Sequence, residues 1–175
     1  MVRFKIVILL LITIFTCSGC GIKTHKNYGF TEPELRLNTG AIHAKLRGTM
    51  ENIDNKASIH HAPYEMLLWF SSSIEQNSSC LVNIDSITLK NSETGESVLV
   101  SENSEAVFRE RSNGVYTASF NYENLNLQHT DHELEFIYSF SKDCGLGQTL
   151  VPISMFFKKQ YSERNISFWD TVMGI

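Results

Sequence analysis

From residue 41 onward, apolar and polar positions alternate with a period of two, the mark of strands buried on one face. Ile42, Ala44 and Leu46 interleave with His43, Lys45 and Arg47. Residues 64–70 are apolar on both faces except at Glu65, as expected for a central strand. Cys80, Val82 and Ile84 share one face, but Ile87 and Leu89 fall out of phase with them. One extra residue near Asp85-Ser86, a β-bulge, restores the phase. Tyr116, Ala118, Phe120 and Tyr122 line another face, and Leu134, Phe136, Tyr138 and Phe140 repeat the pattern against Glu133, Glu135 and Ser139.

The breaks between these runs are turn chemistry. Residues 90–96 form a polar turn with Gly95 available for positive φ, and residues 97–100 return as its partner strand. A short run follows at 106–109, and Asn113-Gly114 is a strong hairpin signal. Residues 150–157 make the last strand, with Pro152 confining its first half to an edge or a bulge. About eight strands, with no long helical pattern between them, predict an all-β, antiparallel β-sandwich over residues 36–160. At 42% hydrophobic residues the chain has material for a core.

The first 20 residues obey a different rule. Arg3 and Lys5 precede an apolar run from Ile6 to Phe15 interrupted only by Thr13, and small residues lead into Cys20. Ten residues are too few for a helix that crosses a bilayer, which needs roughly 20, so a cleaved export signal fits better. The run Cys17-Ser18-Gly19-Cys20 resembles the lipobox of bacterial lipoproteins, with Cys17 standing where an aliphatic residue is usual. The resemblance implies a signal peptide over residues 1–19 and acylation of Cys20, which would hold the chain to a membrane. It also implies an outer-membrane address in a Gram-negative cell, because Gly21 replaces the aspartate that commonly signals inner-membrane retention. Residues 20–35 lack periodicity and read as a lipidated tether, able to reach about 50 Å when extended.

Cleavage would change the charge and the cysteine count. Of 15 basic residues, loss of Arg3 and Lys5 leaves 13 against 19 acidic ones, a net of −6. Such a chain has no general attraction for nucleic acid or for an anionic lipid surface, so membrane attachment is expected from acyl chains on Cys20. Of four cysteines, Cys17 is discarded and Cys20 acylated, so Cys80 and Cys144 are predicted to pair in an oxidising compartment. One bridge from an early to a late strand is compatible with an immunoglobulin-like sandwich, although no tryptophan lies between the cysteines, Trp69 preceding both.

Reactive constellations are sparse. His129 and His132, with Asp131 between them, form the densest set of potential metal ligands, but their spacing matches no zinc signature, and a solvated loop is the expected reading. The adjacent His60 and His61 are weaker candidates, since neighbours on a strand point to opposite faces. Glu102, Glu105 and Glu110 are expected on a solvated face. There is no G-x-S-x-G elbow and no phosphate loop, so no catalytic residue, metal or cofactor is assigned. The segment 161–175 carries Phe168, Trp169, Val172, Met173 and Ile175, and Ser167 with Asp170 could cap a short helix there. Phe168, Trp169 and Met173 are expected either to cover an open end of the sandwich or to dock a partner. The function expected is binding or scaffolding of a cell-envelope protein, with an immunity protein or inhibitor as a narrower form. A metal-dependent hydrolase built on His129 and His132, or a purely structural lipoprotein, are the rivals.

Overall fold

A computed structural model describes residues 23–53, 57–73, 75, 80–145 and 152–166. Among them are eleven strands: β1 (Lys23–Phe30), β2 (Glu34–Leu37), β3 (Gly40–Ile53), β4 (Ala57–Ser72), β5 (Leu81–Asn91), β6 (Ser97–Val107), β7 (Arg109–Glu110), β8 (Tyr116–Leu125), β9 (His132–Phe140), β10 (Ile153–Phe157) and β11 (Lys159–Ile166). A single 3-10 turn covers Lys142–Cys144. The strands form two sheets. The larger runs β11-β1-β4-β3-β2, with β8 also on β4 and β7 on β8; the smaller runs β10-β9-β5-β6. All pairings are antiparallel except β1 with β4. The all-β sandwich expected from the alternation is therefore the fold.

One hydrophobic core lies between the sheets, and its members are the inward halves of the alternating runs. From the larger sheet come Ile42, Leu46, Tyr64, Met66, Leu68, Phe70 and Phe120; from the smaller, Val82, Ile84, Ile87, Leu89, Leu134, Phe136, Tyr138, Phe140 and Phe157. The rings meet edge-on across the gap, Phe70 with Tyr138 at 5.0 Å between centroids and with Phe140 at 6.0 Å. The phase slip in β5 is a bulge: pairing with β9 shifts between Ile84 and Ser86, exposing Asp85 and returning Ile87 and Leu89 to the core. β4 is central, laddered to β3 on one side, and on the other to β1 through its first residues and to β8 through its last. A second irregularity offsets β3 and β4 at Gly48/Thr49, opposite the cis bond of Ala62-Pro63. Gly48 is needed there because a Cβ would stand 2.9 Å from the His61 main chain. Both predicted turns form, with Gly95 at φ 72° and Gly114 at φ 75°.

Three boundaries differ from the sequence reading. Residues 23–30 and 34–35, assigned to a tether, are strands β1 and β2, and Phe30 is in the core. β1 is held by ladders to β11 and β4 rather than by an apolar face of its own, which is why no periodicity announces it. Residues 161–166, assigned to the C-terminal segment, complete β11, the partner of β1. The two pieces of strand expected at 97–100 and 106–109 are mostly one strand, β6, because the β5 ladder carries the chain through polar residues 101–105. The Cys80–Cys144 disulfide is formed, with Cα atoms 4.7 Å apart. It joins the segment entering β5 to the one leaving β9, neighbours in one sheet, and so does not bridge the sheets as the immunoglobulin disulfide does.

Candidate functional site

The segment 129–133 is a structural clamp. The His129 Nε2–H donates to the carbonyl of Gly29 at 2.8 Å and to that of Gln160 at 3.1 Å, tying together β1 and β11. The Asp131 carboxylate accepts from the Lys159 main-chain N–H at 2.8 Å, and Thr130 Oγ1 accepts from Asn91 Nδ2 at 3.0 Å. His132 is buried; its Nε2–H donates to the Gln128 carbonyl at 3.0 Å, and Phe30 packs edge-on against its ring. Both Nε2 atoms are thus engaged with main-chain carbonyls. Among the described residues no three His, Cys, Asp or Glu side chains converge to hold a metal ion. Glu102, Glu105 and Glu110 are exposed, as expected of a solvated face.

On the outward face of the larger sheet, Trp69 stacks on His43 with centroids 4.9 Å apart and planes 12° apart. Glu34 Oε2 lies 3.6 Å from His43 Nδ1, and Ser71 Oγ lies 3.4 Å from His43 Nε2. The order carboxylate, imidazole, hydroxyl is that of a nucleophilic triad, but the distances are long and Ser71 Oγ donates to the Ala41 carbonyl at 3.2 Å. Its strand is laddered on both sides at this point, so the group reads as a polar brace around a half-buried tryptophan. Further along the same face the irregularities of β3, β4 and β8 open a cleft of about 480 Å³, lined by Arg47, Met50, His60, Glu65, Glu123 and Asn124. Arg47 pairs with Glu65 at 3.6 Å within it. Asn124 takes φ 58°, the left-handed conformation that asparagine tolerates at a bulge.

Beyond that cleft the larger sheet continues as a four-stranded extension. It comprises residues 162–166 of β11, 23–27 of β1, 57–61 of β4 and 49–53 of β3, and within it only Ser58 is buried. Three histidines gather here. His25 Nδ1 lies 2.7 Å from Ser58 Oγ, the His25 and His60 rings meet edge-on at 5.0 Å, and the His61 Nε2 contacts Glu51 Oε2 at 2.8 Å. Burial, and then the neighbouring His25, Arg47 and His61, hold His60 below its ordinary value of 6.5. Met50 and Ile53 are 55% and 40% exposed, which matters because both are large and apolar. The sequence reading missed this region. Its one visible signal was the His60-His61 pair, whose partner His25 lay in the presumed tether.

Cys20, Phe168, Trp169 and Met173 lie outside the described residues. Comparison with known proteins finds no matching family model, no similar curated protein and no similar solved structure.

Proposed function

We propose that this chain is a lipid-anchored, extracytoplasmic β-sandwich that binds or scaffolds a partner protein of the cell envelope. The observation that carries the reading is the disulfide between Cys80 and Cys144, the two cysteines that remain once Cys20 is acylated and Cys17 removed. Such bonds persist in oxidising compartments and are rare in a reducing cytosol. That agrees with the lipobox-like run ending at Cys20 and with an outer-membrane address facing the periplasm. A rigid two-sheet core that presents loops at its ends is a suitable binding scaffold, although a fold of this kind serves many functions. The net charge of −6 after processing favours a basic partner, as an immunity protein or inhibitor would have.

Two measurements test it. Cys20→Ser should leave unprocessed precursor and abolish metabolic labelling with fatty acid; labelling that survives removes the anchor. Crosslinking in intact envelopes should then capture the same partner with wild type in repeated preparations, and capture should weaken as salt is raised if charge selects it. Stoichiometric bound metal together with hydrolytic turnover, both lost in His129→Ala, would replace binding with catalysis.

A further inference from the structure

The four-stranded extension of the larger sheet has two faces, and the ladder register sorts its side chains between them. Residues paired across a ladder share a face, and neighbours along a strand alternate. His60 of β4 is paired with Asn27 of β1 on one side and with Met50 of β3 on the other, while His25 of β1 is paired with Ser58. His25, Met50, Ser58 and His60 therefore stand on one face, together with Lys23 and Arg164. Glu51, His61 and Glu163 stand on the other.

The two imidazoles on the first face are spaced for a shared ion. Their centroids are 5.0 Å apart with planes at 74°. Imidazole nitrogen binds first-row ions at roughly 2 Å, and two rings on one ion at a tetrahedral or trigonal angle then have centroids about 5 Å apart. His25 Nδ1 lies 2.7 Å from the Oγ of Ser58, a side chain only 3% exposed. With the proton on Nδ1 that bond fixes the ring and leaves a lone pair on Nε2, the means by which an outer residue orients a histidine ligand. Neither ring nitrogen of His60 is hydrogen-bonded to a described residue. Met50 is exposed, lines the same cleft as His60, and carries its sulfur on three rotatable bonds.

We propose that His25 and His60, with the thioether of Met50, form a binding site for copper(I). Thioether sulfur selects that soft ion and imidazole also suits copper, whereas zinc draws its ligands from thiolates, imidazoles and carboxylates. All three donors are neutral, and no carboxylate of the extension shares their face, so the site supplies no negative charge to a divalent ion. Lys23 and Arg164 on that face repel a doubly charged ion about twice as strongly as a singly charged one. His61 and Glu51, which contact each other at 2.8 Å, are separated from the site by the sheet itself. The proposal is independent of the anchor and of the partner, and it holds whether or not Cys20 is acylated.

The test is an anaerobic titration of the full chain with copper(I) buffered by bicinchoninate. Free thiols are first blocked with N-ethylmaleimide, so that neither Cys17 nor Cys20 supplies a sulfur ligand. One equivalent should bind. Met50→Leu and His60→Gln should each weaken binding by about tenfold or more, and Ser58→Ala by about 10- to 100-fold through its hold on His25. His43→Gln, elsewhere on the sheet, should change nothing. X-ray absorption at the copper edge should show a sulfur neighbour that disappears in Met50→Leu. Thermal melts separate loss of the site from loss of the fold. If Ser58→Ala or His60→Gln melts early, Met50→Leu, at an exposed position, carries the decision. Wild type that binds no copper(I), Met50→Leu that binds it as tightly as wild type, or zinc that competes on equal terms overturns the proposal. Since the thiols are blocked or acylated in every sample, any of these failures leaves the anchor and partner readings standing.

Discussion

His129 shows how a residue chosen for its chemistry can serve structure instead. The Nε2 of His129 is turned toward two carbonyl oxygens, which require a proton on that nitrogen, and this ring edge ties β1 to β11. His129→Ala should therefore destabilise the fold by about 1–3 kcal/mol, the cost of leaving partly buried carbonyls without a donor. Denaturant titration measures this, and a chelator should leave the wild-type midpoint where it is. His60 supplies the opposite case, a histidine whose surroundings disfavour charge. The charged and titratable neighbours that act on it are His25 of β1, Arg47 of β3 and His61 of β4. Burial and then these neighbours hold it below 6.5, so under mild acid the unfolded chain takes up the proton before the folded one does. Its contribution to stability is complete above pH 6.5 and declines as pH falls from there toward the folded-state value. Melts between neutral and mildly acidic pH should show that decline, and His60→Gln should flatten it; an unchanged slope would assign the acid sensitivity to other groups.

Elements differ in how much of them the residue pattern reveals, and the difference follows from what holds each in place. β9 buries every second residue from His132 to Phe140, so its period is written in the sequence. β5 is written equally clearly, down to the bulge at Asp85, because a one-residue slip moves every later side chain to the other face. β1 and β11 have no such signature. Seven of the eight residues of β1 are half-buried and those of β11 are largely exposed, so ladder hydrogen bonds and a few anchors such as Phe30 hold them. Composition alone cannot separate strands of that kind from a linker. The end that carries His25, Met50 and Ile53 was illegible for the same reason. The pairing of Cys80 with Cys144 was expected once the lipobox-like reading set Cys17 and Cys20 aside, and the structure places that bridge where β5 and β9 already adjoin. Cys80 and Cys144 are 64 residues apart, and breaking a bridge that closes so long a loop should cost about 2–4 kcal/mol. Melting with and without reductant measures the loss, and the Cys80→Ser, Cys144→Ser double variant should melt like the reduced wild type.

For the whole molecule, the presence of β1 changes what the N-terminal region does. A free tether over residues 20–35 would let the sandwich move about 50 Å from the bilayer. With β1 in the sheet, only Gly21 and Ile22 separate Cys20 from the first rung, and an anchored molecule would stand close to the lipid. The same region is also part of the core. The Phe30 ring meets Tyr64 at 5.3 Å, His129 at 5.3 Å and His132 at 5.8 Å, and the Tyr64 hydroxyl donates to the Tyr28 carbonyl at 2.8 Å. Phe30→Ala should therefore cost about 3–5 kcal/mol, as loss of a buried phenylalanine does. The same substitution in a linker would cost nothing measurable. A flexible insertion between Gly21 and Lys23 is the complementary change: it touches no described contact, so the melting temperature should hold while the reach from the membrane grows. Thermal melts of the two variants beside wild type decide the matter. A large loss for Phe30→Ala with none for the insertion places the boundary between anchor and domain at Lys23, whereas two unchanged melts would return residues 23–30 to a linker.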